Sequence, residues 1–386
     1  MAQHLVNYLI ANDLFDRNQY GFVPKRSTCS QLLTMTQDWA SFINRKTSFH
    51  CIYFDQKNAF DKIQHSLLLK KMTAIGIHKQ TVAWCSSYLA NRSFKLKLDY
   101  HLSQSFAAPT GVPQGSCLSP ILFNIFICDI RNFVPAGVSY LVYADHLKVY
   151  CPIISQNSFM LLQSAIDGVA KWCKSNGMLL SPTKCVVLKY GHPEVNYTLN
   201  GSVLSTSEFT RDLGIIMSPR LDFSNHIAHI IKSASVMINT IFRCFTITDP
   251  FVYIHLFKSL IITKFLYCAP VWKPYLSKHK LAITSVRQKF VRRLKWRCKD
   301  RVLDIEESAV PCIIRVIEEQ DYRALFMLKR ADLLHRFFSF NYNTLRSGCT
   351  VRPKFPVART ELVNNMFSWR VARWFHENEV PLLLLS

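Results

Sequence analysis

Along the first 190 residues the apolar positions change period repeatedly, from every second residue to every third or fourth and back, as in a mixed α/β chain. Cys51 to Asp55 is a short apolar run of strand type, and Asp61 to Met72 after it is helix-like. Ser93 to Leu98 alternates apolar and polar, as an amphipathic strand does. Pro120 to Ile130 reads as a buried helix, with Ser119 as its cap and Pro120 in the first helical position. Leu141 to Tyr150 divides into two short strands about a tight turn at Ala144 to His146. Phe159, Leu162, Ile166, Val169 and Trp172 share one helical face ahead of a further strand, Cys185 to Tyr190. Beyond about residue 222 the pattern turns mostly helical, led by the stripe Ile227, Ile230, Ile231, Ala234, Met237, Ile238 and Ile241. The expected organisation is α/β (α+β), with a mixed domain over 1–222 and a helical one over 223–386.

Composition narrows the partners. Hydrophobic residues make up 49% of the 386, so a folded core is expected throughout. Lys and Arg number 47 against 25 Asp and Glu, a formal charge of +22 that favours a polyanion, nucleic acid ahead of a membrane surface. The 13 cysteines form no C-x-x-C pair or zinc-knuckle spacing and read as reduced thiols, hence an intracellular protein, nuclear or cytoplasmic. The start has no signal-peptide pattern, and Lys258 and Lys264 interrupt the most apolar stretch, so no membrane span is expected.

Three segments stand out: Phe54-Asp55-Gln56-Lys57-Asn58-Ala59-Phe60-Asp61, Gly111-Val112-Pro113-Gln114-Gly115-Ser116-Cys117-Leu118-Ser119-Pro120 and Tyr143-Ala144-Asp145-His146. Asp55 ends a strand and Asp145 lies in a hairpin turn, placements that suit a hard divalent cation. Each alone is also an ordinary place for Asp. In order, the three resemble the polymerase motifs of non-long-terminal-repeat (LINE-like) retrotransposon reverse transcriptases. The resemblance extends to Gln19-Tyr20-Gly21-Phe22 with Lys25-Arg26-Ser27-Thr28, to Lys184-Cys185, to Arg211-Asp212-Leu213-Gly214 and to Tyr267-Cys268-Ala269-Pro270-Val271-Trp272.

That likeness implies a right-hand polymerase: a fingers remnant, a palm with a small antiparallel sheet, and a helical thumb. It implies Asp55 and Asp145 as carboxylates for Mg²⁺ or Mn²⁺, and Phe60 as an aromatic gate beneath the incoming sugar. Gln114 and Gly115 become a shelf for the nucleotide, with Lys25, Arg26 and Lys184 as further nucleotide contacts. The implied partners are an RNA template, a DNA primer and deoxynucleoside triphosphates; oligomeric state is left open. Asp61 is expected to cap the following helix. Between Lys278 and Arg301, ten basic residues face one acid. Arg287, Lys289, Arg292, Arg293, Lys295 and Arg297 are expected to track phosphates, the alternatives being a solvated face or a localisation signal.

The chain departs from the family at three places. His146 stands where a second aspartate is usual, and Asn58 where a lysine is common. The sequence also starts after the basic strands expected upstream, as a shortened polymerase core would. Imidazole is a poor ligand for Mg²⁺, so catalysis is expected to be impaired, and a dead fold that only holds RNA or an RNA–DNA duplex is the alternative.

Overall fold

The computed structural model describes residues 1–386 except 192–193, 299–308, 346–347, 355–356 and 378–386. Lys299, Asp300 and Arg301 of the basic run, and the apolar end from Val380 to Leu385, lie outside the described residues. Two compact units emerge: Met1–Arg26 with Thr47–Ser207, and Ser27–Lys46 with Glu208–Ser386. This division differs from the expected 1–222 and 223–386 in two ways: an early helix, residues 28–44, and the segment 208–222 belong to the second unit.

In chain order the elements begin with α1 (Ala2–Ala11), α2 (Thr28–Asn44, in the second unit), β1 (Ser48–Phe54), α3 (His65–Ala74) and α4 (Lys79–Leu89). The short ladder pieces β2 (Ser93–Phe94), β3 (Lys97–Leu98), β4 (His101–Leu102) and β5 (Phe106–Ala107) follow. Next come α5 (Ser119–Ile127), β6 (Ser139–Tyr143), β7 (His146–Ile153), α6 (Gln156–Ser175), β8 (Val186–Tyr190), β9 (Thr198–Leu199), β10 (Ser202–Val203) and β11 (Ser205–Ser207).

The first unit is built on one sheet, ordered β11-β8-β1-β7-β6. β1 pairs antiparallel with both β7 and β8, and β11 runs parallel to β8. Phe49, His50, Cys51 and Ile52 are all buried, as in a central strand covered on both faces. α6 supplies the main cover: Leu162, Ala165, Ile166, Val169 and Trp172 recur at helical spacing and are buried. Burial pushes the thiol of Cys151 in this core up to about 11.

The second unit holds α2, a short hairpin of β12 (Thr210–Asp212) and β13 (Ile215–Met217), then α7 (Ser224–Cys244) and α8 (Pro250–Leu256). It continues with α9 (Thr263–Leu266), α10 (Ala269–Trp272), α11 (Ser277–Cys298), α12 (Ile313–Glu318) and α13 (Gln320–Arg330). β14 (Phe340–Leu345) and β15 (Gly348–Pro353) form a hairpin ahead of α14 (Glu361–Asn364) and α15 (Phe367–Glu377). Ile227, Ile230, Ala234, Ile238 and Ile241 bury one face of α7, and Ile283, Val286, Phe290 and Leu294 that of α11. No described helix is long and apolar enough to cross a membrane.

Two local expectations are corrected. α3 starts at His65, after a 3₁₀ turn at Ala59–Asp61, with Gln64 at its cap position, so Asp61 caps nothing. Ser119 lies inside the first turn of α5, and its hydroxyl donates to Pro113 O at 2.6 Å instead of capping. In both places the loop Gly111–Ser116 takes the polar group that the helix end would otherwise use.

Candidate functional site

β1 ends at Phe54, whose partner on β7 is Leu147. One further step of the same register sets Asp55 opposite His146, and opposed residues of an antiparallel pair share a face. Tyr143 pairs with His146 across β6 and β7, which leaves Ala144 and Asp145 as the turn. Ala144 has φ 55° while Asp145 is not in the positive region, the pattern of a type II′ turn, which usually takes glycine there. Asp55, Asp145 and His146 therefore come to one end of the sheet, the first two half-buried and His146 exposed.

Asp55 is tied down through its backbone. Its N–H donates to Cys185 Sγ at 3.4 Å, and its carbonyl accepts from Ser181 N at 3.0 Å. Burial pushes the Cys185 thiol up. Lys184 Nζ lies 3.8 Å from Asp55 Oδ2, in an exposed pair of little energetic weight.

The hairpin turn is held from its other side by the segment Asn18–Gly21. Tyr20 N donates to Val142 O at 2.8 Å and Val142 N to Asn18 O at 2.9 Å, adding a short parallel pairing beside β6. Gln19 is 2% exposed, and its Oε1 accepts from both Gly21 N at 2.8 Å and Ala144 N at 3.1 Å. A Cβ on Gly21 would fall 2.4 Å from Ala144 N, so only glycine lets the two backbones approach this closely. Asn124 of α5 completes the support, donating to Gly21 O at 3.0 Å.

The loop between β5 and α5 is laced to the turn after β1. Gly111 N donates to Ile63 O at 2.8 Å, Val112 N to Phe60 O at 2.9 Å, and Gln114 Nε2 to Asp61 Oδ1 at 3.0 Å. Phe60 is half-buried, stacked on Phe123 at 4.4 Å and edge-on to Phe22 at 6.2 Å. Gly115 has φ 83°, and a Cβ there would meet nothing within 4 Å, so its outer side is open. Asn58 takes φ 51°, a left-handed conformation that Asn tolerates better than most residues, which gives a physical reason for Asn at this position.

The basic residues separate into groups. Lys25 is exposed, whereas Arg26 turns back on its own loop, donating to the carbonyls of Asp16, Arg17 and Gln19 and lying over the Tyr20 ring at 5.2 Å. On α11, Arg287 donates to Val310 O at 3.0 Å, and Arg297 to Phe242 O and Phe245 O at the end of α7. Arg292 and Lys295 are exposed, and Lys289 and Arg293 half-exposed. The supporting roles of Gln19, Asn124 and Cys185 are hidden in the sequence, since contacts across more than 100 residues carry no local signal.

Among the described residues no three His, Cys, Asp or Glu side chains gather around a point. Asp55 and Asp145 nonetheless suit a hard cation that completes its shell with water and substrate phosphate. His146 adds little to such a site.

Residues 1–212 match the family model described as reverse transcriptase (RNA-dependent DNA polymerase). The chain is 26% identical over 239 residues to the probable RNA-directed DNA polymerase from transposon BS of Drosophila melanogaster, covering 59% of this chain and 26% of that protein. It is 23% identical over 330 residues to the RNA-directed DNA polymerase from mobile element jockey of Drosophila funebris, covering 80% of this chain and 35% of that protein. The chain thus spans about a quarter to a third of the length of these relatives. Among solved structures, apo telomerase from Candida tropicalis aligns at 13% identity and a TM-score of 0.45, covering 95% of this chain and 60% of that one.

Proposed function

The chain belongs to the reverse transcriptase (RNA-dependent DNA polymerase) family, and we propose from that premise that it is polymerase machinery of mobile-element type, impaired at its metal site. The family generally uses divalent metal ions. The reading rests above all on the register that takes Asp55 past the Phe54–Leu147 pair to the hairpin turn carrying Asp145. The proposed substrates are an RNA template, a DNA primer and deoxynucleoside triphosphates. Residues 1–222 are proposed as fingers and palm of a right-hand polymerase and 223–386 as its thumb, with 27–46 and 208–222 grouping with the latter by compactness.

In this reading Asp55 and Asp145 would hold Mg²⁺ or Mn²⁺, which would supply Lewis-acid chemistry for the primer's 3′ hydroxyl and the leaving pyrophosphate. Phe60, wedged against Phe123, would lie under the sugar and exclude a ribose 2′ hydroxyl by bulk. Gly115, open on its outer side, and Gln114 would form the nucleotide's shelf. Lys184, beside Asp55, and Lys25 would offer charge to the triphosphate. Arg26 is a weaker nucleotide contact, its guanidinium already engaged by three carbonyls.

His146 in place of a second carboxylate removes one negative charge from the site. At an effective dielectric near 20 a unit-charge pair at ~4 Å is worth ~4 kcal/mol, and losing ~3 kcal/mol of transition-state stabilisation slows a reaction roughly a hundredfold. The same replacement of a carboxylate by His146 supports a second reading, a polymerase fold that holds RNA or an RNA–DNA duplex without chemistry. Primer extension on an RNA template separates the two. His146→Asp is expected to raise the rate about a hundredfold, and Asp145→Ala added to it to abolish the gain. Silence in every version, with nucleic-acid binding intact, would leave only the binding reading.

A further inference from the structure

α7 and α11 pack through their buried stripes, but towards the C-terminal ends of both helices a groove of about 750 Å³ opens beside that seam. Val236, Asn239 and Arg243 recur at helical spacing along its α7 wall, and Arg292, Arg293 and Trp296 form its α11 wall. Phe242 makes the floor, backed by Tyr253 and Phe290. No acidic side chain lines it among the described residues.

Two features are unusual for a solvated surface. Trp296 is 71% exposed, although an indole is among the most costly side chains to leave in water. It also shares the groove with four arginines: Arg292 and Arg293 on the same helix, Arg243 on α7, and Arg297, whose guanidinium lies 5.9 Å from its ring centroid. The Arg297 fork is locked to Phe242 O at 2.8 Å and to Phe245 O, so the Trp296 side of the groove has a fixed edge. An exposed flat ring beside several guanidinium groups suits a ligand with a flat aromatic face and a neighbouring anion. A nucleotide with an unpaired base has both, because the base stacks and the phosphates reach the arginines.

We propose that this groove binds single-stranded RNA, with one unpaired base stacked on Trp296 and the flanking phosphates held by Arg243 and Arg292. The site goes beyond a phosphate-tracking surface, since a duplex offers its backbone but keeps its bases paired and out of reach. RNA is chosen over DNA because the groove also carries the Asn239 amide and the Thr240 oxygen, which donates to Val236 O at 3.1 Å and keeps a lone pair to accept from a 2′ hydroxyl. The choice of nucleic acid as ligand rests on the polymerase reading, but the groove needs no metal and no chemistry.

The test is equilibrium binding of the full chain, in chelator and without divalent ions, to a fluorescent single-stranded RNA. A fully paired RNA duplex and a DNA strand of the same sequence serve as comparisons. Trp296→Ala is expected to weaken the single strand about tenfold or more and the duplex little, and Trp296→Phe to recover most of the loss. Arg292→Ala and Arg243→Ala should each lower the salt dependence by roughly 0.7 log units per log unit of salt. Unchanged single-strand affinity in Trp296→Ala overturns the stacking site, as does an equal loss for duplex. DNA bound as tightly as RNA overturns the choice of RNA. The binding assay holds no divalent ion, primer or nucleotide, so failure of primer extension and failure of this groove are separate outcomes.

Discussion

Gln19 supports the turn that carries Asp145 with a single oxygen, which accepts from Gly21 N and Ala144 N. Its own Nε2 is buried without a partner, a cost that the two accepted bonds must offset. Ala144 adds to the tension, holding φ 55° with a Cβ in place. Gln19→Leu would leave the Ala144 N–H buried and unsatisfied, and is expected to cost about 1–3 kcal/mol in urea unfolding. In a His146→Asp background it is also expected to weaken Mn²⁺ binding about tenfold, read from the electron paramagnetic resonance of free Mn²⁺, because the turn loses its fixed position. Ala144→Gly, which frees the backbone of its Cβ penalty, should restore part of that affinity. Should Gln19→Leu bind Mn²⁺ like its parent, the turn keeps its shape without this oxygen and Gln19 is only filling space.

Asp321 plays a comparable part among elements. It sits at the second residue of α13, and its carboxylate accepts from Lys273 just after α10 at 2.8 Å and from Arg370 of α15 at 2.7 and 3.0 Å. Burial alone would raise its pKa, but the charges of Arg370 and Lys273 outweigh it and hold the carboxyl below the usual carboxylate range. Asp321→Asn leaves two part-buried cations without their shared carboxylate and is expected to cost about 3 kcal/mol at neutral pH, measured by denaturant unfolding. A loss under about 1 kcal/mol would mean that the two cations find other partners. Such a link is invisible in sequence, since its members lie far apart. Legible in the sequence are the elements with a strong period or a strong turn. α6 and α7 announce themselves through apolar stripes, and the β6–β7 hairpin through two apolar runs about Ala144 and Asp145. α2 gives no such stripe: Gln31, Thr34 and Thr36 are buried along with Leu32, Leu33 and Met35, so nothing in it points to the second unit. Local rules favour Asp at helix starts and so make Asp61 a cap, whereas Gln114 claims its carboxylate from 53 residues away.

At the scale of the whole chain the dominant fact is charge, +22 before any histidine is protonated. Acid adds to it, and self-repulsion then weakens the folded state generally. One buried group should sharpen that response. His226 at the start of α7 is 3% exposed, edge-on to Trp272, and its Nδ1 accepts from Ile216 N at 3.4 Å. Burial, helped by the nearby charges of His229 and Arg211, lowers its pKa from 6.5 to about 4. Between those values the unfolded chain binds a proton that the folded chain refuses, so stability rises with pH across the window. The contribution is complete above about pH 6.5 and shrinks as pH falls towards 4, by up to about 3 kcal/mol. His226→Asn keeps an oxygen to accept from Ile216 N but cannot titrate. Urea unfolding of both proteins from about pH 7 to 4 should therefore give a flatter curve for the variant, with the general charge effect common to the two. Parallel curves would show that His226 takes up its proton in the folded state as readily as in the unfolded one, and that the acid sensitivity belongs to the net charge alone.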